Sequence, residues 1–394
     1  MRQAWRWFGP KDNVSLDDVR QAGATDIVTA LHEAPPGAEW TKAAVVERKK
    51  AIEEGPPGRS PLRWSVVESI PVPDEVKRRG KASGRAIDGW IASMEAVAES
   101  GVKIICYNFM PALDWTRTDL DWPLPSGATA LRFDQARLAA YDIHLLRRPG
   151  AEKDYSSEVR SRAKAALDAM APSEVDRLVA NISAGLPGTT SEPLDLQGMR
   201  ERIAAYGKIG PAELRRHLIE FLERVAPAAE ALGVKLTLHP DDPPRPLLGL
   251  PRIASTAQDY QALFDAVPST ANGMCFCTGS LGASPLNDVA AIARRFASRI
   301  YFVHLRSVRR EEDGSFYESA HLDGDFDMIA TIGELLAEDR RRAAEEKIPF
   351  RPDHGHRMLD DLGKRTNPGY SAIGRLKGLA ELRGAIRALE QVGA

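Results

Sequence analysis

The sequence predicts an α/β protein: a (β/α)8 barrel of the TIM type with a long helical insertion after its fourth strand. Three observations lead there. Short apolar runs rich in β-branched and aromatic residues recur along the chain, stretches of helical periodicity separate most of them, and one gap between runs far exceeds a crossover helix. The runs are Gln3–Trp7, Asp26–Leu31, Arg63–Val67, Lys103–Tyr107, Val234–Leu238, Gly273–Phe276, Ile300–Val303 and Ile348–Arg351, and eight strands close such a barrel.

Before the fourth run, Ile87, Trp90, Ile91, Met94 and Val97 recur at helical spacing. Ile373, Leu376, Leu379, Leu382, Ile386 and Leu389 do so near the C-terminus. Each stripe suits a helix packed outside a sheet. The gap from Tyr107 to Val234 holds four further helical patterns, Glu158–Met170, Ser173–Ile182, Leu196–Tyr206 and Ala212–Leu232. Pro172, Pro187 and Pro211 punctuate them, and Ser173 with Asp176 reads as a capping box. Taken as residues 134–232 of a single domain spanning 1–394, the insertion is expected to rise from the C-terminal end of the barrel as a lid, a subunit contact or both. Its apolar helix faces lead us to expect a homo-oligomer.

The chain is 43% hydrophobic and 27% charged, and 53 basic residues nearly balance 55 acidic ones. That balance leaves no broad field for nucleic acid or an anionic membrane. Arg2, Trp5, Arg6 and Trp7 stand where a signal peptide needs an apolar stretch, and no run approaches the ~18 apolar residues of a spanning helix. A cytoplasmic protein without membrane or nucleic-acid partners is therefore expected. Cys106, Cys275 and Cys277 are too few for a disulfide framework and point to reduced thiols or a metal ligand. No phosphate-binding glycine motif follows a strand, and Ser183-Ala-Gly-Leu-Pro-Gly188 sits in the wrong context for one.

Chemistry concentrates where the later strands end. The fifth runs into His239-Pro-Asp-Asp, the sixth into Cys277-Thr-Gly-Ser, the seventh into His304-Leu-Arg-Ser and the eighth into Asp353-His-Gly-His. In a closed barrel these ends share one mouth. One histidine in a strand is more often a hydrogen-bonded core residue, and a buried cysteine is usually a small hydrophobe. At four consecutive strand ends, however, His239, Cys277, His304 and Asp353 make a mixed nitrogen, sulfur and oxygen set for a divalent metal. Cys277 stands at the strand exit and is preferred to Cys275, while Cys106 reads as packing. Mn2+ or Fe2+ ranks above zinc, since such a site leaves positions for substrate oxygens.

His354, beside Asp353, is placed to exchange protons with a bound substrate. The turn Asn367-Pro-Gly-Tyr370 can swing a phenol over the mouth. His356 is carried as a substrate-binding candidate, against the blander reading of a solvated histidine or one that orients a neighbour. Arg245, Arg252 and Arg306 follow strand ends, and Arg117 lies in the loop Asp114-Trp-Thr-Arg-Thr-Asp119. All four are candidates to fork onto a carboxylate, against the default of a surface ion pair.

Several long blocks stand out: Trp5-Arg-Trp-Phe-Gly-Pro10, Arg20-Gln-Ala-Gly-Ala-Thr25 with Ile27-Val-Thr-Ala-Leu-His32, Tyr107-Asn-Phe-Met-Pro111, His239-Pro-Asp-Asp-Pro-Pro244, Cys277-Thr-Gly-Ser280, His304-Leu-Arg-Ser307, His321-Leu-Asp-Gly-Asp325, Arg351-Pro-Asp-His-Gly-His356 and Asn367-Pro-Gly-Tyr-Ser-Ala-Ile-Gly-Arg375. Together they resemble the mannonate dehydratase family, and the resemblance runs nearly end to end. It implies a xylose-isomerase-like barrel and manganese or ferrous ion on His239, Cys277, His304 and Asp353. It also implies a proton-transfer pair, His354 and Tyr370, and a sugar-acid substrate, D-mannonate, dehydrated to 2-dehydro-3-deoxy-D-gluconate in hexuronate breakdown. Phe8, Asp12-Asn13 and Glu33-Ala34 depart from the Tyr, Asp-Pro and His-Ile frequent in relatives.

The expected division of labour has Tyr370, or a metal-bound hydroxide near it, taking the C2 proton while His354 protonates the leaving 3-hydroxyl, with the reverse left open. Competing readings are a dehydratase for a related aldonate, a metal-dependent sugar isomerase or epimerase, and a non-catalytic binding protein. Cys277 weighs against the isomerase, whose sites favour carboxylate ligands.

Overall fold

The computed structural model describes residues 1–185 and 194–392. Pro187 and the end of the glycine-bearing loop at Gly188 lie outside the described residues. Among the described residues there are twelve strands: β1 (Arg2–Arg6), β2 (Asp26–Thr29), β3 (Arg63–Glu68), β4 (Ile104–Tyr107), β5 (Asp119–Pro123), β6 (Thr129–Phe133), β7 (Lys235–Leu238), β8 (Asn272–Cys277), β9 (Ile300–His304), β10 (Val308–Arg310), β11 (Phe316–Glu318) and β12 (Pro349–Arg351). Eight of them close a parallel barrel in the order β1, β2, β3, β4, β7, β8, β9, β12. These are the eight strands expected from sequence, each within two residues of its expected bounds. Closure brings Arg2 beside Pro349 and Gln3 beside Phe350.

Side chains alternate across each barrel strand, so one set turns inward and the other meets the helices. Ala4, Val28, Val66, Cys106, Cys275 and Phe302, one from each of six strands, form a cluster of their own inside the barrel. Cys106 thus packs, as expected. The opposite faces, with Ile105, Leu236 and Val303 among them, join Trp90, Met94, Leu379 and Leu382 in the main core between barrel and helices. Helix Ala372–Gln391 departs from its expected stripe at Leu376, which is 41% exposed.

The segment between β4 and β7 differs from the wholly helical expectation at both ends. It opens with β5 and β6, which join β10 and β11 in a second, antiparallel sheet ordered β10-β11-β6-β5. At the other end, helix Pro211–Ala231 belongs to the barrel rather than to the insertion. Its Leu214, Leu218, Phe221 and Val225 are buried in the main core. The helices between, Ser157–Ala169, Pro172–Ser183 and Leu196–Ala204, match their expected positions. The expected capping box moves two residues back. Pro172 opens the helix, and the Ala171 N–H donates to the Glu174 carboxylate at 3.0 Å, so Ser173 and Asp176 do not cap. Among the described residues no helix is long and apolar enough to cross a membrane.

The assignment of helix Pro211–Ala231 to the barrel carries an expected outcome. Leu218→Ala removes a fully buried side chain and should cost about 2–5 kcal/mol. Urea unfolding would read this as a lower midpoint at unchanged slope. A loss below ~0.5 kcal/mol, as for a surface change, would place the helix outside the core.

Candidate active site and metal centre

Consecutive barrel strands deliver the candidate ligands to one mouth. Cys277 and His304 are the last residues of β8 and β9 and are register partners. His239 directly follows β7, its N–H bonded to the Tyr107 carbonyl at 2.9 Å. Ligand atoms of His239, Cys277 and His304 all lie within 4.8 Å of one another. His239 Nδ1 is 2.6 Å from the Pro240 carbonyl, which can only accept, so Nδ1 carries the proton and the Nε2 lone pair is free. Burial lowers the pKa of His239 and keeps it neutral, as a ligand must be. Two imidazoles and a thiol this close form a donor set that fits a first-row divalent ion.

Asp353 borders that group: its Oδ2 is 3.7 Å from Cys277 Sγ. Its φ of 57° is in the left-handed region. That turn lets Asp353 and His354 both face the mouth, where strand alternation would send them to opposite sides. Arg351 pairs with Oδ1, and Arg306 Nη1 lies 3.1 Å from Oδ2. Burial opposes the charge of Asp353, yet Arg351, His354 and Arg306 hold its carboxyl well below the usual range.

His354 and Tyr370 meet across this carboxylate. His354 Nε2 is 3.2 Å from Tyr370 Oη and 3.6 Å from Asp353 Oδ1. The Tyr370 N–H bonds the Asn367 carbonyl at 2.9 Å, closing the turn that aims the phenol. Gly369, at φ 79°, has no room for a side chain, because a Cβ there would come within 3.0 Å of the His354 ring. Phe8 packs edge-on against Tyr370 with centroids 4.8 Å apart. Burial pushes the phenol up to about 12, with Arg351 and Arg6 pulling the other way, so it stays protonated at neutral pH.

The basic candidates divide. Arg306 reaches the site, bonding Asp242 Oδ2 at 2.6 Å and Ser280 Oγ at 3.1 Å. Arg117 lies beneath it, with Asp242 at 2.7 Å and Glu318 at 3.0 Å, its guanidinium between the rings of Trp115 and Phe316. Arg252 is not brought to the metal group. Its guanidinium donates to the Pro111 and Leu113 carbonyls at 3.2 and 2.9 Å, tying two loops together. Arg245 also stands apart, on Gln135 Oε1 at 3.2 Å and beside a separate cavity with Leu138 and Tyr155. His356 Nε2 is 2.8 Å from the Glu318 carbonyl and steadies that strand.

Sequence reading missed Arg6, Glu68, Asp242 as an arginine partner, and Glu318. Arg6 and Glu68 end β1 and β3 at the same mouth, a signal that could have found them. Arg6 and Arg351 each pair with Glu68 at 2.8 Å, and His304 Nε2 is 3.4 Å from it. A cavity of about 340 Å³ opens against Arg6 and Glu68, walled by His32, Trp40, Lys77 and, from the insertion, Arg202. The insertion is thus part of the cavity wall.

The family model for D-mannonate dehydratase (UxuA) matches residues 1–394. A mannonate dehydratase of Brucella canis is 62% identical over 391 residues, covering 99% of this chain and 98% of that protein. The crystal structure of mannonate dehydratase from Streptococcus suis serotype 2 is 31% identical with a TM-score of 0.79, covering 100% of this chain and 96% of that one. A xylose isomerase-like TIM barrel protein from Mycobacterium smegmatis, 14% identical with a TM-score of 0.51 over 98% of this chain and 97% of that one, shares the fold. The strands that close the barrel, the cluster at its mouth and the end-to-end family match agree: the chain belongs to the D-mannonate dehydratase family.

Proposed function

We propose that this protein is a hydro-lyase that dehydrates D-mannonate to 2-dehydro-3-deoxy-D-gluconate and water. The observation that carries the reading is the His354–Tyr370 pair, 3.2 Å apart, joined through Asp353 to the cluster of His239, Cys277 and His304. Family membership over the whole chain supplies the substrate.

His239, Cys277, His304 and Asp353 would hold a manganese or ferrous ion. Bound there, such an ion stabilises the charge that builds on the substrate carboxylate as the neighbouring C2 proton leaves. The protein's own groups move the protons. Tyr370 keeps its proton because its phenol is buried, which suits the donor that meets the departing 3-hydroxyl. His354 has its Nδ1 against the Glu318 carboxylate at 2.8 Å, which suits the acceptor of the C2 proton at Nε2. The C2–H and C3–O bonds break, water leaves, and the resulting enol becomes the 2-keto product. This reverses the division of labour expected from sequence, because the sequence carried no sign of Glu318 or of how deeply the phenol is buried. Arg306, Arg117 and His356 act on this site through Asp242, Glu318 and Asp353 rather than as a free carboxylate clamp.

Three outcomes are expected. Metal-loaded protein incubated with a panel of aldonates should form a 2-keto product from D-mannonate. Turnover of another aldonate alone, or isomerisation without water loss, would refute the substrate assignment. Cys277→Ser and His304→Ala should each lower manganese or iron per chain, measured by elemental analysis after purification without chelator. Full metal content in both would end the proposed ligand set. His354→Asn should abolish exchange of the C2 hydrogen with solvent, while Tyr370→Phe should keep exchange and lose elimination, each cutting turnover by about 10²–10⁴-fold. The opposite pattern would restore Tyr370 as the base.

A further inference from the structure

We propose that Glu318 is a positioning residue for His354: its carboxylate holds the imidazole in the tautomer whose Nε2 is free to take the C2 proton. The proposal rests on the reading of His354 as the proton acceptor. Glu318 ends the three-residue strand β11, and both its carboxylate oxygens lie 2.8 Å from His354 Nδ1. The residue is 4% exposed, so water does not compete for those bonds. Burial works against its charge, but His354, Arg306 and Arg117 hold the carboxyl below its ordinary range. An ionised carboxylate can only accept, so the proton sits on Nδ1 and the Nε2 lone pair faces Tyr370.

A second neighbour shows what Glu318 prevents. Arg306 Nη1 also lies 3.2 Å from His354 Nδ1, and a guanidinium can only donate. With Glu318 present, Nη1 is satisfied by Asp353 Oδ2 at 3.1 Å. Without it, the arginine would favour a bare Nδ1 and move the proton to Nε2, the tautomer that cannot accept from substrate. Glu318 is itself held from two sides, by Arg117 Nη2 on Oε1 at 3.0 Å and by His356 Nε2 on its carbonyl at 2.8 Å. A carboxylate needed only to neutralise Arg117 and Arg306 would have no reason to place both oxygens on the imidazole. Once His354 accepts the proton, the same carboxylate stabilises the imidazolium.

The test compares Glu318→Ala, Glu318→Gln and His354→Asn with D-mannonate on metal-loaded enzyme. Glu318→Ala should lower kcat on the order of 10²-fold and C2 exchange in parallel, with KM changed less than about threefold. Glu318→Gln keeps an amide oxygen for the Nδ1–H and should recover about tenfold of that loss. In 15N spectra of histidine-labelled, zinc-loaded protein, the signals absent from His354→Asn should show a protonated Nδ1 in the wild type and a protonated Nε2 in Glu318→Ala. A kcat for Glu318→Ala within about threefold of wild type, or an unmoved His354 tautomer, overturns the proposal. If Glu318→Ala does not fold, Glu318→Gln decides alone, and a kcat within about threefold of wild type overturns it. C2 exchange surviving in His354→Asn would instead overturn the acceptor reading, whereas an inactive His354→Asn beside a fully active Glu318→Ala would remove only the role of Glu318.

Discussion

The organisation of the mouth depends on the buried guanidinium of Arg306. It touches Asp242 from the loop after β7, Ser280 after β8, Asp353 after β12 and, at 3.5 Å, Glu318 of the second sheet. A Cβ at Gly279 would lie 2.1 Å from its Nε, so the side chain reaches the mouth only by passing over a glycine. Charges taken out of water lose several kcal/mol of hydration each, and direct pairing is what offsets the loss. Deleting one partner of such a pair typically costs about 3–5 kcal/mol, because the other is left buried and uncompensated. Arg306, Arg117, Arg351 and Arg6 together face Asp242, Glu318, Asp353 and Glu68, and these guanidinium partners hold all four carboxyls below their ordinary range despite burial. Carboxylates fixed in the charged state suit both roles proposed for them, metal ligand for Asp353 and acceptor from an imidazole N–H for Glu318.

Which parts of this were legible in the sequence follows from the range of the interactions. Barrel strands announce themselves through local apolar runs, and a closed parallel barrel sends every strand's C-terminal end to one mouth. The convergence of His239, Cys277, His304 and Asp353 could therefore be read without knowing any contact. The second sheet could not. β10 and β11 are three residues each, too short for periodicity, and β11 pairs with β6, whose Phe133 lies far away in sequence from its partner Phe316. Glu318 is invisible for the same reason, since its contact with Arg117 spans 201 residues. Arg245 and Arg252 are placed away from the metal group through side-chain length. A guanidinium that begins near a strand end can still turn back to a carbonyl or a glutamine.

The same logic explains the misplaced edges of the insertion. Residues 211–231 carry an amphipathic stripe that fits a lid helix and a barrel helix equally well, and only the identity of the packed partner separates them. Packing against Trp90 and Tyr107 settles it, since Phe221 contacts both rings, at 5.2 and 5.7 Å. In the helix from Pro172 the rigid proline ring outweighed the Ser-to-Asp spacing, because proline suits the first helical position, where no N–H is needed.

What remains between β4 and the barrel helix is less free than a lid. Leu138, Leu178, Ile182 and Met199 from its helices share a buried cluster with Phe133, Val308 and Phe316 of the second sheet. Val308 and Phe316 stand on the strands whose pairing holds Glu318, and Val308 is its register partner. A hinge that swung the insertion helices outward would strip this cluster and pull the Glu318 strand with it, away from His354. Exposing even two or three such side chains costs about 1.5–3 kcal/mol apiece, and it would break the hydrogen bonds that orient the proton-transfer group. The parallel barrel presents the ligand cluster and His354, while the antiparallel sheet presents Glu318 to the Nδ1 of that imidazole, so the proposed pairing needs the two sheets to keep their places. The loops after β2 and β3, which also line the cavity, share no residue with this buried cluster, so a movement there would leave Glu318 against His354.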